Sequence, residues 1–345
     1  MVEVNPRTAP IRIKYWHYIL FLALLTLLAL AVLWSLLDTQ WGASSSYSEF
    51  FRRYLSSVNK FRPSAKPEDN LSNALRIHGV EQVGDKRYVL LFSATDDKGE
   101  PIVSFPSADI TVSVGQASAA LTPAIVDHVT PINQMAAWNE KVSFAGIMDY
   151  SGSMFQEDIR NIESNYSSFI SGILFPFNAA IYKFHSDVLE TLALSSDKKA
   201  IENAVMTTVA LGGATALYEA MDKGITAIQA RPHLRFLLLT TDGNNNAGSV
   251  DLPSVLRRSR QHFISTFVFG FGWLNVQTLK QITEDTDGYY VYVPDSKDLK
   301  SWFPKLAKIV NNVQVVEFSP SANLTMPPSV ELTVKVNGTI LKRTR

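Results

Sequence analysis

The feature that most restricts the fold is a short apolar run that turns polar abruptly, Val142-Ser143-Phe144-Ala145-Gly146-Ile147-Met148-Asp149-Tyr150-Ser151-Gly152-Ser153-Met154. A brief apolar stretch bounded by polar sequence reads as a strand buried on both faces, the pattern of a mostly parallel sheet covered by helices. Its end carries one carboxylate and two hydroxyls at alternate positions, Asp149, Ser151 and Ser153. In open α/β sheets ligands bind outside the carboxyl ends of the strands, so this strand delivers three oxygen donors to the edge where a ligand is expected. Such hard donors suit Mg²⁺ or Ca²⁺. Taken alone, Asp-x-Ser-x-Ser is equally a loop leading into the next helix, because Asp and Ser are favoured in turns and at N-caps.

Two later stretches bear on that choice. Gly212-Gly213-Ala214-Thr215-Ala216-Leu217-Tyr218-Glu219-Ala220 is a glycine turn, a threonine and then a helical pattern. Phe236-Leu237-Leu238-Leu239-Thr240-Thr241-Asp242-Gly243 is a second buried strand ending in Thr and Asp. In this order and spacing the three stretches resemble the metal-ion-dependent adhesion site of von Willebrand factor A-type (vWA) domains, over roughly half of the chain. The resemblance implies a divalent-metal site formed by Asp149, Ser151, Ser153, Thr215 and Asp242. It implies Mg²⁺ first, with Mn²⁺ or Ca²⁺ as alternatives, and a coordination position filled by a Glu or Asp of a partner protein. Two carboxylates suffice for Mg²⁺, which keeps several waters and binds few protein carboxylates.

The sequence around these motifs alternates strands and helices. Strands are predicted at 142–149, 178–188, 233–241, 265–271 and 289–293, and helices at 155–171, 197–206, 215–230, 252–262, 276–284 and 297–310. That alternation predicts an α/β, doubly wound, mostly parallel and Rossmann-like sheet flanked by helices over residues 136–312. Flanking it, 80–135 and 313–345 show period-2 strands and the hairpin signal Asn337-Gly338. Neither piece has enough strands to bury a face, so the two together are predicted to form one small β-sandwich into which the α/β domain is inserted. The first piece contains Asp96-Asp97-Lys98-Gly99-Glu100-Pro101, similar to bacterial anchored proteins in which an Asp-x-x-Gly-x-Pro segment precedes the A-type domain.

The start of the chain has a different character. Residues 1–14 form a polar leader with Arg7, Arg12 and Lys14 against Glu3, and 15–37 contain no Asp, Glu, Lys or Arg and are dense in Leu and Ala. Aromatic residues flank this run, as at membrane interfaces, and its length suits a transmembrane helix that is not cleaved. Basic residues precede it, so the N-terminus is expected in the cytoplasm and the rest in the periplasm or outside the cell. Residues 38–79 read as a juxtamembrane amphipathic helix, ended by Pro63 and Pro67, and then a linker.

Composition narrows the function. The chain has 32 basic and 32 acidic residues and no cysteine, so no basic excess points to nucleic acid, and disulfides, thiolate metal sites and cysteine nucleophiles are excluded. No Gly-x-Ser-x-Gly, His-Glu-x-x-His, P-loop or Gly-x-Gly-x-x-Gly motif occurs. Of the histidines, only His185 is expected at the metal edge. The expectation is therefore a binding module at a cell envelope and not an enzyme. Two alternatives stay open: an assembly subunit in which the metal only orders the loops, and a metal-dependent hydrolase. Exposure is the discriminating feature. An open cation ringed by Tyr150, Met154 and the run Asn244-Asn245-Asn246 would favour binding.

Overall fold

The computed structural model describes residues 68–116, 120–152, 154, 156–241, 243–271, 275–336 and 338–345. Two seven-stranded sheets organise them. The first, in chain order, contains β1 (Glu68–Asp69), β6 (Val142–Asp149), β7 (Phe177–Phe184), β8 (Val188–Ser195), β9 (Leu234–Thr241), β10 (Ser265–Phe271) and β11 (Tyr290–Val293). The second contains β2 (Leu75–Gly84), β3 (Arg87–Ala94), β4 (Ile110–Gly115), β5 (Thr122–Pro131), β12 (Gln314–Ser319), β13 (Ser329–Val336) and β14 (Thr339–Thr344).

The order of the first sheet is β1-β11-β10-β9-β6-β7-β8. Its five inner strands are parallel, while β1 and β8 pair antiparallel at the edges. The sheet is thus mixed: the stretch 188–195 folds back on β7 as a hairpin before the next helix begins. β6 and β10 are buried along their whole length, as the apolar runs require. From β6 the chain winds outward to both sides, which places a topological switch point, the usual ligand crevice, at the carboxyl ends of β6 and its neighbours.

Helices cover both faces. One face carries α1 (Gln156–Gly172), α2 (Lys198–Met206) and α6 (Leu299–Asn311); the other carries α3 (Leu217–Ile228), α4 (Leu252–Gln261) and α5 (Val276–Asp285). The buried stripe of α1, Ile159, Ile162, Glu163, Tyr166, Phe169 and Ile170, follows the helical period. It meets a ladder of rings in which Phe144 stacks on Phe236 at 5.3 Å and Phe236 on Phe267 at 4.7 Å. Side-chain caps start three helices: Asp197 for α2, Asp251 for α4 and Asn275 for α5.

The second sheet, of order β14-β13-β4-β5-β12-β3-β2, is wholly antiparallel. β5 belongs to both of its halves, pairing with β4 through Thr122–Ala124 and with β12 from Ile125 onward. Residues from both halves, among them Ile77, Leu90, Phe92, Val112, Val316 and Leu332, share one apolar core. Its strands come from before and after the α/β unit in sequence, so that unit interrupts it.

Residues 68–79 are part of the folded unit and not a linker, a correction to the sequence reading. Glu68 and Asp69 pair with Tyr292 and Val291, and β2 starts at Leu75. Its polar residues face the other sheet. His78 is fully buried, with Nδ1 2.9 Å from Ser265 Oγ and Nε2 2.7 Å from Ser93 Oγ, and Ser93 Oγ lies 2.6 Å from the Tyr289 hydroxyl. Arg76 makes a forked contact with Glu284 at 2.8 and 2.9 Å. Arg343 reaches the buried Asp287 at 2.5 Å, so the segment Asp285-Thr286-Asp287-Gly288 is a helix-to-strand turn gripped by the second sheet. Glu81 accepts from the His233 backbone at 2.6 Å and pairs with Arg235 at 3.3 Å. Burial alone would raise the Glu81 carboxyl, but the hydrogen bond from His233 and the charge of Arg235 bring it below its ordinary value.

The predicted membrane helix 15–37, the leader 1–14 and the amphipathic stretch lie outside the described residues. Among the described residues no helix is long and apolar enough to cross a membrane.

Candidate metal centre

Asp149 is the last residue of β6 and is completely buried. Its two carboxylate oxygens are held from different sides. Oδ1 accepts the Ser151 backbone N–H at 2.8 Å, and Oδ2 accepts the Thr241 hydroxyl at 2.7 Å. Thr241 ends β9, and its Oγ1 in turn accepts the Gly243 N–H at 2.9 Å. The carboxylate is therefore oriented by the protein itself, as supporting hydrogen bonds orient metal-ligating groups.

The loop after β6 is stitched to the loop that carries Thr215. Ser151 bridges to Gly212 as in a short parallel pair, and the Gly212 N–H donates to the Tyr150 carbonyl at 3.1 Å. The approach is close enough to require two glycines. A Cβ on Gly152 would sit 2.9 Å from the Gly212 carbonyl oxygen, and one on Gly212 would sit 2.4 Å from the His185 ring. Thr215 is fixed from the far side: its N–H donates to Asn246 Oδ1 at 2.7 Å, and its carbonyl accepts from Asn246 N at 3.0 Å and Ala247 N at 3.1 Å. Asn245 Oδ1 accepts the Tyr218 N–H at 3.1 Å in the first turn of α3.

Of the five predicted ligands, Asp149 and Ser151 are brought into direct contact, and the loop that carries Thr215 is tied to theirs through Gly212. Ser153 and Asp242 lie outside the described residues. The exposures of Asp149, Ser151 and Thr215 are 0%, 1% and 4%. Gly152, Gly213, Asn244 and Asn246 in the neighbouring loops are exposed. Tyr150 and Met154, whose place around the site would have favoured binding, do not ring it; both are buried in the apolar core. Two of the three asparagines brace the Thr215 loop. His185 serves as a wall for Gly212 and accepts the Ala216 N–H on its carbonyl at 2.6 Å.

The donor set fits a hard divalent cation: one pre-oriented carboxylate and hydroxyl oxygens on cross-linked loops. Among the described residues no group of three or more His, Cys, Asp or Glu could hold a metal, so the described part of this centre relies on hydroxyls beside its carboxylate.

Beneath the loops lies a cluster that the motifs did not announce. Lys183, in β7, is fully buried. Its Nζ donates to the Tyr150 hydroxyl at 2.7 Å and to the carbonyls of Val205 and Thr207 at 2.6 and 2.5 Å, and lies 3.2 Å from Glu163 Oε1. The Tyr150 hydroxyl donates to Glu163 Oε1 at 2.5 Å. Burial lowers the Lys183 ammonium, and Glu163 works against that shift. Burial and the bond to Glu163 together raise the Tyr150 phenol. The one available signal was a lysine inside an otherwise strand-like run, Phe177-Asn178-Ala179-Ala180-Ile181-Tyr182-Lys183-Phe184.

A doubly wound sheet with a buried carboxylate and braced hydroxyl loops at its carboxyl edge defines the class of this unit, an α/β domain with a candidate ligand site at the usual crevice. Residues 146–305 match the von Willebrand factor type A domain family, and the α/β unit has a vWA-type fold. No curated protein matches the chain in sequence. Among solved structures it is similar to a von Willebrand factor type A protein from Catenulispora acidiphila, at 13% identity over 82% of this chain and 74% of that one, with a TM-score of 0.45. It is also similar to the conserved hypothetical protein BatB from Bacteroides thetaiotaomicron, at 18% identity over 49% and 98%, with a TM-score of 0.41. A third similarity is to proximal thread matrix protein 1 from the mussel byssus with a zinc-occupied MIDAS motif, at 15% identity over 54% and 48%, with a TM-score of 0.46.

Proposed function

We propose that this chain is a membrane-anchored protein-binding module whose vWA domain recognises a partner through a divalent cation. Asp149, Ser151, Ser153, Thr215 and Asp242 hold the ion, Mg²⁺ first or Mn²⁺, and a partner carboxylate completes its shell. The observation that carries the reading is the Asp149 carboxylate, oriented by Ser151 and Thr241 at the point where the Ser151 and Thr215 loops are cross-linked. Residues 15–37 anchor the chain, with the N-terminus in the cytoplasm and the bulk in the periplasm or outside the cell. The role we propose is binding and not bond cleavage.

The test is calorimetric titration of Mg²⁺ and Mn²⁺ into the full chain in detergent, beside Asp149→Ala. Binding by the wild type alone supports the site. Unchanged affinity in Asp149→Ala, or unfolding of that variant, counts against it. Pull-downs from envelope extracts with and without chelator then ask for a carboxylate-bearing partner. The near-complete burial of Asp149, Ser151 and Thr215 favours a second reading, an assembly subunit in which the metal only orders the loops. Metal binding with no chelator-sensitive partner would select it.

A further inference from the structure

We propose that Lys183 is a positioning residue of this centre, a single buried ammonium that fixes both ligand-bearing loops from below. The inference rests on the reading of the centre as a cation site. An ammonium has three protons and no acceptor. Here the three close contacts are to segments far apart in sequence, Tyr150 in the first metal loop and the carbonyls of Val205 and Thr207 at the end of α2, with Glu163 on α1 at 3.2 Å as the counter-charge. Tyr150 lies between Asp149 and Ser151, so anchoring its ring anchors the backbone that presents both. Thr207 opens the segment that runs to Gly212 and Thr215. Just past the end of β7, the His185 carbonyl holds Ala216, so the end of one strand and the residue after it grip both ends of that segment.

Two plainer explanations fall short. Lysines do satisfy carbonyls at helix C-termini, but that role accounts for Val205 and Thr207 and leaves the Tyr150–Glu163 triangle unexplained. Stability alone also fails to account for the residue. A buried ion pair replaced by well-packed apolar side chains is often neutral or stabilising, and Leu would suit this strand position. What the lysine supplies that Leu cannot is direction, toward several polar groups at once.

The experiment compares wild type, Tyr150→Phe, Lys183→Met, the double variant Lys183→Met/Glu163→Gln and Asp149→Ala, all as full chains in detergent. Tyr150→Phe removes one hydroxyl, and the double variant leaves no unpaired buried charge. Two quantities are read for each: Mn²⁺ affinity by calorimetry and the urea midpoint in EDTA. Loss of a supporting group around a metal typically weakens binding by about 10–100-fold. The expected result is about tenfold weaker Mn²⁺ binding in Tyr150→Phe and in the double variant, with metal-free midpoints near wild type. If both bind Mn²⁺ as wild type does while Asp149→Ala does not, the metal reading stands and the positioning role is overturned. If affinity falls only in step with the midpoint across the series, the residue is structural and the proposal fails. If wild type binds no Mn²⁺, the metal reading falls and this inference falls with it.

Discussion

Acidification tests the packing of the two sheets against each other through His78. The side chain is fully enclosed, is bonded on both ring nitrogens by serine hydroxyls, and packs edge-on against Phe267 at 5.8 Å. Burial, followed by the charges of Arg345 and Arg76, pushes its pKa from 6.5 down to about 3. The folded chain therefore keeps His78 neutral while the unfolded chain protonates it as the pH falls through 6.5. In that window the unfolded state binds more protons, so stability falls with falling pH, by at most about 1.4 kcal/mol per pH unit. From pH 8 to pH 5 the loss attributable to His78 is about 2 kcal/mol, and it continues to grow until the folded-state value is reached. Urea unfolding at pH 8 and pH 5 measures it in wild type and His78→Gln, since glutamine can bond both serines but does not titrate. Other groups, including Glu81 and Glu284 with their lowered carboxyl values, contribute to both proteins alike. The difference between the two pH values should therefore be smaller in the variant by about 2 kcal/mol. An equal loss in both proteins, or a His78 NMR titration near 6.5 in the folded chain, would refute the reasoning.

Two further outcomes are expected. Gly212→Ala drives a methyl into the His185 ring and should cost about 1–3 kcal/mol, as overpacking does, and should weaken Mn²⁺ binding; an unchanged urea midpoint would show that the loops separate easily. Deleting residues 1–40 should release the remainder from the membrane as soluble protein, which sedimentation without detergent would show; aggregation would mean that 15–37 belongs to a core.

The parts of the fold legible in the sequence are those where burial alone dictates the residue type. β6 and β9 are apolar because helices cover both faces, and each turns polar where the cover ends, so Asp149 and Thr241 mark their own positions. The edges were not legible. β8 is half-exposed and follows a tight turn at His185–Asp187, so its antiparallel return leaves no strong pattern in Val188-Leu189-Glu190-Thr191. β1 has only two residues. The segment 68–79 read as a linker because it is polar, yet Arg76 and His78 are polar precisely where partners from residues 265 and 284 complete them. The place of Tyr150, between two of the predicted ligands, left open whether it faces the site. Its hydroxyl turns inward to Glu163 and Lys183, and no spacing rule joins those three residues.

The two ends of the vWA-type sheet are held by different means. Apart from Arg76 at Glu284 on α5, the polar contacts to the second sheet named above are made at the amino ends of its parallel strands: Glu81 at the start of β9, Ser93 and His78 at β10 and just before β11, and Arg343 at Asp287. Asp149, the first of the predicted ligands, sits at the carboxyl end of β6, roughly 23 Å from its start for an eight-residue strand at about 3.3 Å per residue. The amino edge is thus tied to the second sheet by several partners, and among the described residues the loops at the carboxyl edge are cross-linked to one another through Ser151 and Gly212. A partner arriving at the carboxyl edge would then meet loops whose geometry is set without the second sheet. That division fits the second sheet as a mount for the vWA-type domain and, under the proposed function, leaves recognition to the edge that carries Asp149.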